Sequence, residues 1–379
     1  MPDTIAVRLR PRTLAVESGA ATHHFDRSGR LTFSTSPGET VRRSLDDRAL
    51  RVSISSGTRK YQWLAAEDKT QWYKEALALA AEAVRANAAP TIREWACRIA
   101  KWSPERLALD AQAFSRVYLP ISILPPDQYH TLVVQIAQGC SYNRCLFCDF
   151  YRDRPFRIKT SEELDAHIAG LRSFFAERLP DRSGVFLGDG NALVVPTDRL
   201  LAMMDGIQRK LTEAADSFST FMDTFTLERK TLAELTRIRQ AGLTTVYSGL
   251  ETGSDRLRAI LRKPGAAQEA AHALTQLKAA GFRLGVIVLV GAGGPSFAAE
   301  HLLQTKRILE TIDLSPRDIV FLSPFVEPPL ADYRAAVRAG RLSAFTDAEI
   351  AQETARWRTA LDPLDAKVTV YSLREYMYW

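Results

Sequence analysis

Residues 132–148 read LVVQIAQGCSYNRCLFC, a short apolar run that leads directly into a loop with three cysteines. The run at 132–137 has the length and composition of a buried strand. Cys140, Cys145 and Cys148 are three of the four cysteines in the chain, and they fall within nine residues. This stretch therefore predicts both the first strand of the main fold and the place of its chemistry.

The pattern of that first strand is repeated along the chain, with helical stretches between the apolar runs. The runs cover residues 132–137, 184–187, 219–223, 244–248, 284–290 and 318–322. The helical stretches cover residues 161–178, a segment from 197, then 230–241, 255–262, 267–280 and 298–312. Six strands alternating with helices predict βα units and a parallel sheet. Both an open doubly wound sheet and a barrel have this pattern, and periodicity alone does not choose between them.

The chemistry of such a fold lies where the strands end. In both architectures the loops that follow the carboxyl ends of parallel strands meet at one edge and carry the functional residues. Those loops are expected at residues 138–155, 188–196, 223–229, 249–254, 291–297 and 323–329. The cysteine loop is the first of them, which places it at the functional edge.

The chain before residue 131 has a different character. Residues 1–65 read as a small β-rich module, in which residues 24–31 form a hairpin with Gly29 in a left-handed conformation. Residues 66–130 read as a helical connector, with its first helix ending at Pro90 and a proline-rich stretch at 117–130. Residues 131–325 form the α/β core, and residues 326–379 form a helical and aromatic C-terminal extension.

Composition sets limits on location and partners. Of the 379 residues, 46% are hydrophobic and 25% are charged, and no apolar run is long enough to span a membrane. The N-terminus does not resemble a secretory signal, and clustered cysteines do not form a disulfide framework, so we expect a cytoplasmic protein. Residues 1–65 hold eleven Arg or Lys and six Asp or Glu, which is +5 of the net charge of +6. Such a face either attracts phosphates, acidic peptides or nucleic acid, or is simply solvated.

The spacing of the cysteines indicates a metal centre that is not a closed zinc site. A structural zinc site takes four protein ligands. The remaining cysteine, Cys97, lies on a predicted helix far upstream, and His130 lies at the far end of the first strand. Three thiolates on one loop suit a [4Fe–4S] cluster that keeps one iron open for a small molecule. A zinc loop and a group of buried thiols are the alternatives.

The loop GCSYNRCLFC after a first strand resembles the radical SAM superfamily, which implies a partial (β/α)6 barrel. The usual loop of that family has three residues between its first two cysteines, whereas this loop has four, as in some branches. The resemblance implies that Cys140, Cys145 and Cys148 hold a [4Fe–4S] cluster and that Phe147 lies near the adenine of S-adenosylmethionine (SAM).

Two further loops extend the resemblance. The segment FLGDGNAL stands where the family has its Gly-Gly-Glu motif, so it implies that Gly188, Asp189 and Gly190 bind the methionyl amino group. The segment GLETGSDRLRAILRKP at 249–264 is similar to the signature of methylthiotransferases and their relatives. It implies that Glu251 contacts the ribose and that Ser254 belongs to the site or begins a helix. It also implies that Arg262, or its neighbour Lys263, lies near the methionyl carboxylate.

The resemblance implies reductive cleavage of SAM to a 5′-deoxyadenosyl radical, which abstracts a hydrogen atom from a small metabolite or natural-product substrate. It also implies an electron donor such as flavodoxin or ferredoxin. A peptide or RNA held by the basic N-terminal module is a second possible substrate, and a noncatalytic iron–sulfur or zinc regulatory protein is a third interpretation. Methylthiotransferases carry a second cluster on N-terminal cysteines, but only Cys97 precedes the loop here.

Overall fold

The computed structural model describes residues 5–55, 58–85, 89–225 and 230–379 of the chain. The chain divides into two compact units. The first comprises Met1–Leu124, Ala169–Arg182 and Arg374–Trp379, and the second comprises Pro125–Ile168 and Ser183–Leu373. The four-part division predicted from the sequence stays a prediction.

The first unit contains an antiparallel sheet whose strands follow one another in chain order. Its strands are β1 (Ala6–Leu9), β2 (Thr13–Ser18), β3 (Ala21–Asp26), β4 (Leu31–Ser36), β5 (Glu39–Arg43), β6 (Ala49–Ser55) and β7 (Thr58–Trp63). The predicted hairpin at residues 24–31 is confirmed, because β3 pairs with β4 and Gly29 between them has a φ of 81°.

Three helices of the first unit follow these strands: α1 (Ala66–Arg85), α2 (Pro90–Ile99) and α3 (Pro104–Val117). Trp72 and Tyr73 of α1 pack against Leu14 and Phe25 of the sheet in one hydrophobic core. The prediction that the first helix ends at Pro90 is corrected, because α1 is described as far as Arg85, Ala89 is extended, and Pro90 begins α2. Proline is well tolerated at the first position of a helix, where its missing N–H has no intrahelical partner. Residues 86–88 lie outside the described residues.

The second unit contains a parallel sheet. Its strands are β8 (Leu132–Gln135), β11 (Val185–Gly188), β12 (Phe218–Met222), β13 (Leu243–Glu251), β14 (Arg283–Val290), β15 (Ile319–Pro324) and β16 (Lys367–Val370), in that order across the sheet. The six predicted parallel strands are confirmed. The strand Lys367–Val370 is an addition, since the sequence indicated only a helical and aromatic extension there. It pairs with β15 and forms one edge of the sheet in the described part of the chain.

Helices alternate with these strands: α4 (Ser161–Phe175), α5 (Thr197–Lys210), α6 (Leu232–Gln240), α7 (Asp255–Ile260), α8 (Ala267–Ala279), α9 (Ala298–Glu310), α10 (Ala331–Arg338) and α11 (Asp347–Leu361). They lie close to the predicted helical stretches. A capping box at Thr231 and Glu234 begins α6, so the sequence signal for its start is local. Among the described residues, no helix has the length and apolarity needed to cross a membrane.

A cluster of aromatic rings shows how the parallel sheet is curved. Tyr247 on β13 lies 6.1 Å from the ring of Phe186 on β11 and 6.2 Å from the ring of Phe321 on β15. Each partner lies two strands away from β13 in the sheet. Gly285 on the intervening strand leaves the room, since a Cβ there would lie 2.2 Å from the Tyr247 ring. A sheet that brings these rings together curls toward a barrel, and its edges are β8 and β16.

Candidate active site

The cysteine loop follows the first parallel strand, as predicted. It runs between two short strands, β9 (Ala137–Gln138) and β10 (Arg157–Ile158), which pair with each other and close the base of the loop. Cys140, Cys145 and Cys148 are all partly buried, whereas Cys97 is exposed in the first unit. The structure therefore brings three of the four cysteines to one loop at the carboxyl end of β8 and leaves the fourth elsewhere.

Hydrogen bonds to the backbone give the cysteine loop its shape. Asn143 has a φ of 50°, and its backbone N–H donates to Cys140 Sγ over 3.4 Å. Its side chain donates to the carbonyl of Tyr151 over 2.7 Å. Arg152 donates to the carbonyl of Cys145 over 2.8 Å, and the Leu146 N–H donates to Leu261 over 2.9 Å. The protein itself thus holds the loop in place.

The electrostatics of the three thiols favour a positively charged partner. Burial raises the pKa of Cys145 and of Cys148 to about 12. The three sulfurs lie close enough that Cys140 also contributes to raising both pKa values. Iron ions stabilise thiolates that are otherwise costly to ionise, so this donor set fits an iron–sulfur cluster. Across the described ranges, no three Cys, His, Asp or Glu side chains converge as ligands of a single metal ion would.

The loop after β11 is bound tightly to the cysteine loop through Asp189. The carboxylate of Asp189 is buried and accepts from the Gln135 side chain over 2.7 Å and from the Gly139 N–H over 3.1 Å. Arg154 lies 3.5 Å from the same carboxylate. Burial raises the pKa of Asp189, and Arg154 opposes that rise. The carboxylate therefore has protein partners on both oxygens and anchors the first residue of the cysteine loop.

Gly190 allows the two loops to approach each other. A Cβ on Gly190 would lie 3.0 Å from the Gly139 carbonyl oxygen and 3.4 Å from Cys140 Cα. Gly188 is the last residue of β11, and its backbone oxygen accepts from the Ile136 N–H over 3.0 Å. The three residues predicted to bind the methionyl amino group thus lie beside the cysteine loop.

Glu251 has an unusual backbone conformation at the end of β13. Its φ is 62°, and the pairing of β13 with β14 shifts register between Gly249 and Glu251. A bulge of this kind re-aims a side chain, and left-handed non-glycine residues are enriched at functional sites. Gly249 provides the necessary space, because a Cβ there would lie 2.0 Å from Glu251 Oε1. The carboxylate of Glu251 is buried, and burial raises its pKa.

The structure separates the two basic candidates, Arg262 and Lys263. Arg262 points outward: its side chain is 52% exposed and pairs with Asp332 over 2.7 Å. The Lys263 side chain is only 6% exposed, and its ammonium lies 3.4 Å from Glu251 Oε1. That ammonium also lies 5.9 Å from the centroid of the Phe147 ring. Lys263, and not Arg262, therefore joins the cysteine loop and Glu251.

A left-handed turn explains why the chain presents Lys263 inward. Arg262 has a φ of 53°, and the Lys263 N–H donates to the Arg258 carbonyl over 2.9 Å. The Arg258 guanidinium is buried and donates to the carbonyls of Leu250 and Pro264, each over 2.9 Å. Arg258 thus holds together both ends of the segment that carries Glu251 and Lys263.

Ser254 has a structural role in this arrangement. Its hydroxyl accepts from the Leu257 N–H over 3.1 Å, as an N-cap of α7, and donates to Glu300. The side chain is fully buried. The predicted cap is confirmed, and the hydroxyl both donates and accepts a hydrogen bond within the protein.

Asp223 was not predicted as a site residue, although it is the first residue of the predicted functional loop at 223–229. It follows β12, and burial raises its pKa while Lys263 and a hydrogen bond from Asn191 oppose that rise. Its position directly after a buried parallel strand is the signal that would have identified it. The predicted loop at residues 223–229 falls partly outside the described residues, since 226–229 are not described.

Comparison with known proteins gives a family for the core. The family described as the radical SAM superfamily matches residues 134–306. A sequence search of curated proteins returned no match. The fold is similar to that of Elp3 from Methanocaldococcus infernus, with 12% identity and a TM-score of 0.42 over 63% of this chain and 56% of that chain.

Two other solved structures are similar over more of their own length. Methylornithine synthase (PylB) matches with 13% identity and a TM-score of 0.41, covering 80% of this chain and 81% of that chain. A variant of spore photoproduct lyase with dinucleoside spore photoproduct matches with 16% identity and a TM-score of 0.48, covering 67% and 80%. The chain spans only about half of the archaeal Elp3 chain, at 56% of its length.

Proposed function

We propose, from the match of residues 134–306 to the radical SAM superfamily, that the chain cleaves SAM reductively and abstracts a hydrogen atom from a small-molecule substrate. That match implies a [4Fe–4S] cluster and SAM. The assignment of Cys140, Cys145 and Cys148 as the three cluster ligands is part of the proposal. These thiolates would hold the cluster, which would supply the electron for reductive cleavage of SAM.

One observation carries the proposal. Three partly buried thiols on one loop at the carboxyl end of β8 lie beside a buried acid–base pair, Glu251 and Lys263, from the end of β13. Thiolates suit iron, a carboxylate suits ribose hydroxyls, and an ammonium suits a carboxylate. These are the groups that a ligand with an amino-acid end and a nucleoside end requires.

We assign each residue a binding role. Lys263 attracts the methionyl carboxylate, and Glu251 accepts hydrogen bonds from the ribose hydroxyls. Phe147 packs with Leu146, Leu257 and Leu261 in an apolar cluster and offers a ring face to the adenine. Asp189 anchors the cysteine loop, and with Gly188 and Gly190 it forms the wall toward the methionyl amino group. The protein thus positions the reacting atoms, while the cofactor supplies the difficult chemistry.

Anaerobic reconstitution tests the proposal directly. The purified protein is loaded with iron and sulfide, reduced with a strong reductant in the presence of SAM, and assayed for 5′-deoxyadenosine. We expect about four irons and four sulfides per chain, the content of one cubane cluster, and reductant-dependent deoxyadenosine. Cluster-loaded protein that forms no deoxyadenosine would support the noncatalytic interpretation, and a zinc-loaded, colourless protein would refute the cluster assignment.

The substrate class is tested by a second assay. We expect deoxyadenosine formation to rise with one member of a panel of small metabolites and to be insensitive to added RNA or peptide. A rise with RNA or peptide that salt suppresses strongly would instead favour a macromolecular substrate at the basic residues 1–65. Ferredoxin or flavodoxin in place of the chemical reductant tests the proposed electron donor.

A further inference from the structure

A polar cavity of about 390 Å³ lies at the amino ends of the parallel strands, whereas the cysteine loop lies at their carboxyl ends. Its volume falls in the range of small-molecule sites. Six strands contribute to its wall within two residues of where they begin, through Thr131, Gly184, Ser217, Thr244, Arg283 and Arg317. No motif of the proposed SAM site contributes to it, so the cavity requires its own explanation.

The charge of the cavity wall is positive. Arg239, Arg283 and Arg317 line it, and none of the described residues that line it is acidic. Arg283 is held in place by its donation to the Arg317 carbonyl over 2.7 Å, and Arg239 by its donation to the Gly281 carbonyl over 2.9 Å. A guanidinium has five N–H donors, so both retain donors for a ligand.

Arg317 is the arginine that a ligand would engage most readily. It is exposed, and its guanidinium makes no hydrogen bond or ion pair with any described residue. Three acids adjoin lining residues in the sequence, and each has a partner: Asp127 pairs with Arg283 over 3.0 Å, Asp216 accepts from the Ser217 hydroxyl over 3.3 Å, and Asp318 pairs with Lys278 over 2.5 Å. The cavity therefore keeps an uncompensated positive charge at Arg317.

The floor of the cavity is closed by a chain of hydrogen bonds. The Ser219 hydroxyl donates to Gln128 over 2.8 Å, and the Gln128 amide donates to the Tyr247 hydroxyl over 2.7 Å. Tyr247 in turn donates to Asp127 over 2.7 Å. Tyr247 also belongs to the aromatic cluster of the parallel sheet, so the hydrogen-bonded chain at the cavity wall continues into packed rings.

We infer that this cavity binds a small molecule that carries a phosphate group, with the phosphate held by Arg239, Arg283 and Arg317. Planar guanidinium groups match phosphate oxygens well, and the hydroxyls of the wall suit a polar ligand body. A concave site of this size fits a small molecule better than the extended backbone of a nucleic acid. The site is additional to the proposed SAM site and does not depend on it.

Calorimetric titration of the reconstituted protein tests this inference. The probes are ribose 5-phosphate and inorganic pyrophosphate at matched ionic strength, with ribose as the uncharged control. We expect at least one of the two phosphate probes to bind, with one molecule per chain, and ribose not to bind. The bound probe should raise the melting temperature of the protein. We expect Arg317→Gln to weaken binding about tenfold, the effect of losing one charge-assisted hydrogen bond.

A matched control separates a specific site from general charge. Arg338→Gln, in an exposed residue at the end of α10, removes the same charge outside the cavity and should leave the affinity unchanged. Arg239→Gln provides a second cavity variant with an independent structural setting. Equal losses in the Arg317 and Arg338 variants, or phosphate probes that bind no more tightly than about 10 mM, would overturn the inference.

Discussion

The carboxylate of Asp189 accepts a hydrogen bond from the backbone N–H of Gly139, 3.1 Å away, and so joins the loop after β11 to the start of the cysteine loop. Gln135 donates to its other oxygen over 2.7 Å. This relationship gives a residue predicted as a ligand group a second task, which is to fix the loop that carries the cysteines.

Asp189→Asn should therefore loosen the cysteine loop. A carboxylate has two acceptor oxygens, whereas an amide has one. The NH2 group of the new side chain would therefore lie against either the Gly139 N–H or the Gln135 NH2 group, and two donors would face each other. We expect a loss of about 1–3 kcal/mol in the free energy of unfolding and a lower iron content after reconstitution. Thermal unfolding and iron analysis measure both effects. Asp198→Asn, at a side chain that is 86% exposed, is the control. Full iron content with weaker SAM binding would instead favour the direct ligand role.

Cys145→Ala should abolish the visible absorbance of the reconstituted cluster and all deoxyadenosine formation. Two remaining thiols on the loop leave a cubane cluster short of a protein ligand. The matched control is Cys97→Ala, which removes an exposed cysteine outside the loop and should preserve both signals. Full cleavage of SAM by the Cys145 variant would contradict the ligand assignment.

Glu251→Ala should weaken SAM binding about tenfold or more, because it removes an acceptor proposed for two ribose hydroxyls. Equilibrium dialysis of radiolabelled SAM against the reconstituted protein measures the affinity. Glu310→Ala on α9, where the carboxylate lies 3.7 Å from Lys306, should leave the affinity unchanged. An unaltered affinity in the Glu251 variant would remove this residue from the site.

Lys263→Met should be much more harmful than Arg262→Met. Removing the buried ammonium leaves the Glu251 carboxylate without its partner, which costs about 3–5 kcal/mol for a buried pair. Removing Arg262 breaks only an exposed pair with Asp332, worth about 0–1 kcal/mol. Chemical denaturation measures the free energy of unfolding of the two variants, and a binding assay measures their SAM affinity. Equal losses in the two variants would contradict the inward position of Lys263.

The stability of the first unit should fall in acid through Asp47. Burial alone would raise the pKa of Asp47, but Arg43, Lys69 and Tyr73 outweigh it and lower that pKa. Arg43 lies 2.9 Å and Lys69 lies 2.6 Å from its carboxylate. A lowered carboxyl pKa contributes stability above the unfolded-state value, about 4, and this contribution is lost as the pH falls through the folded-state value.

The variant Asp47→Asn tests this dependence. It should be less stable than the wild type at pH 7, and its melting temperature should fall less steeply as the pH is lowered toward 3. Melting curves at several pH values give the comparison. Parallel pH profiles for the two proteins would show that Asp47 does not control the acid response. Asp46→Asn, at a neighbouring side chain that is 40% exposed, serves as the control.

The sequence predicted the strands of the core well because each buried parallel strand is a short apolar run between helices. It did not predict Lys367–Val370, since a four-residue edge strand of partly exposed residues has no apolar run. The sequence also did not predict that residues 169–182 belong to the first unit. Chain order does not reveal which distant segments pack together.

The site was predicted as a set of loops, and its details depended on backbone geometry. Arg262 and Lys263 are adjacent basic residues with similar sequence context, and the sequence does not show the left-handed turn, with a φ of 53° at Arg262, in which Lys263 faces inward. Likewise, the pattern Gly-Asp-Gly does not reveal that Asp189 bonds to Gly139. The sequence predicts which residues follow the end of a strand, but it does not predict the direction in which their side chains point.

The contact between position 249 and the side chain of residue 251 has a practical consequence for protein engineering. Because a methyl group at 249 would overlap Glu251 Oε1, at 2.0 Å, the smallest mutation at the glycine displaces the acid without changing its identity. Substitutions at the two positions therefore depend on each other, and a mutant library that varies one residue has to vary the other with it.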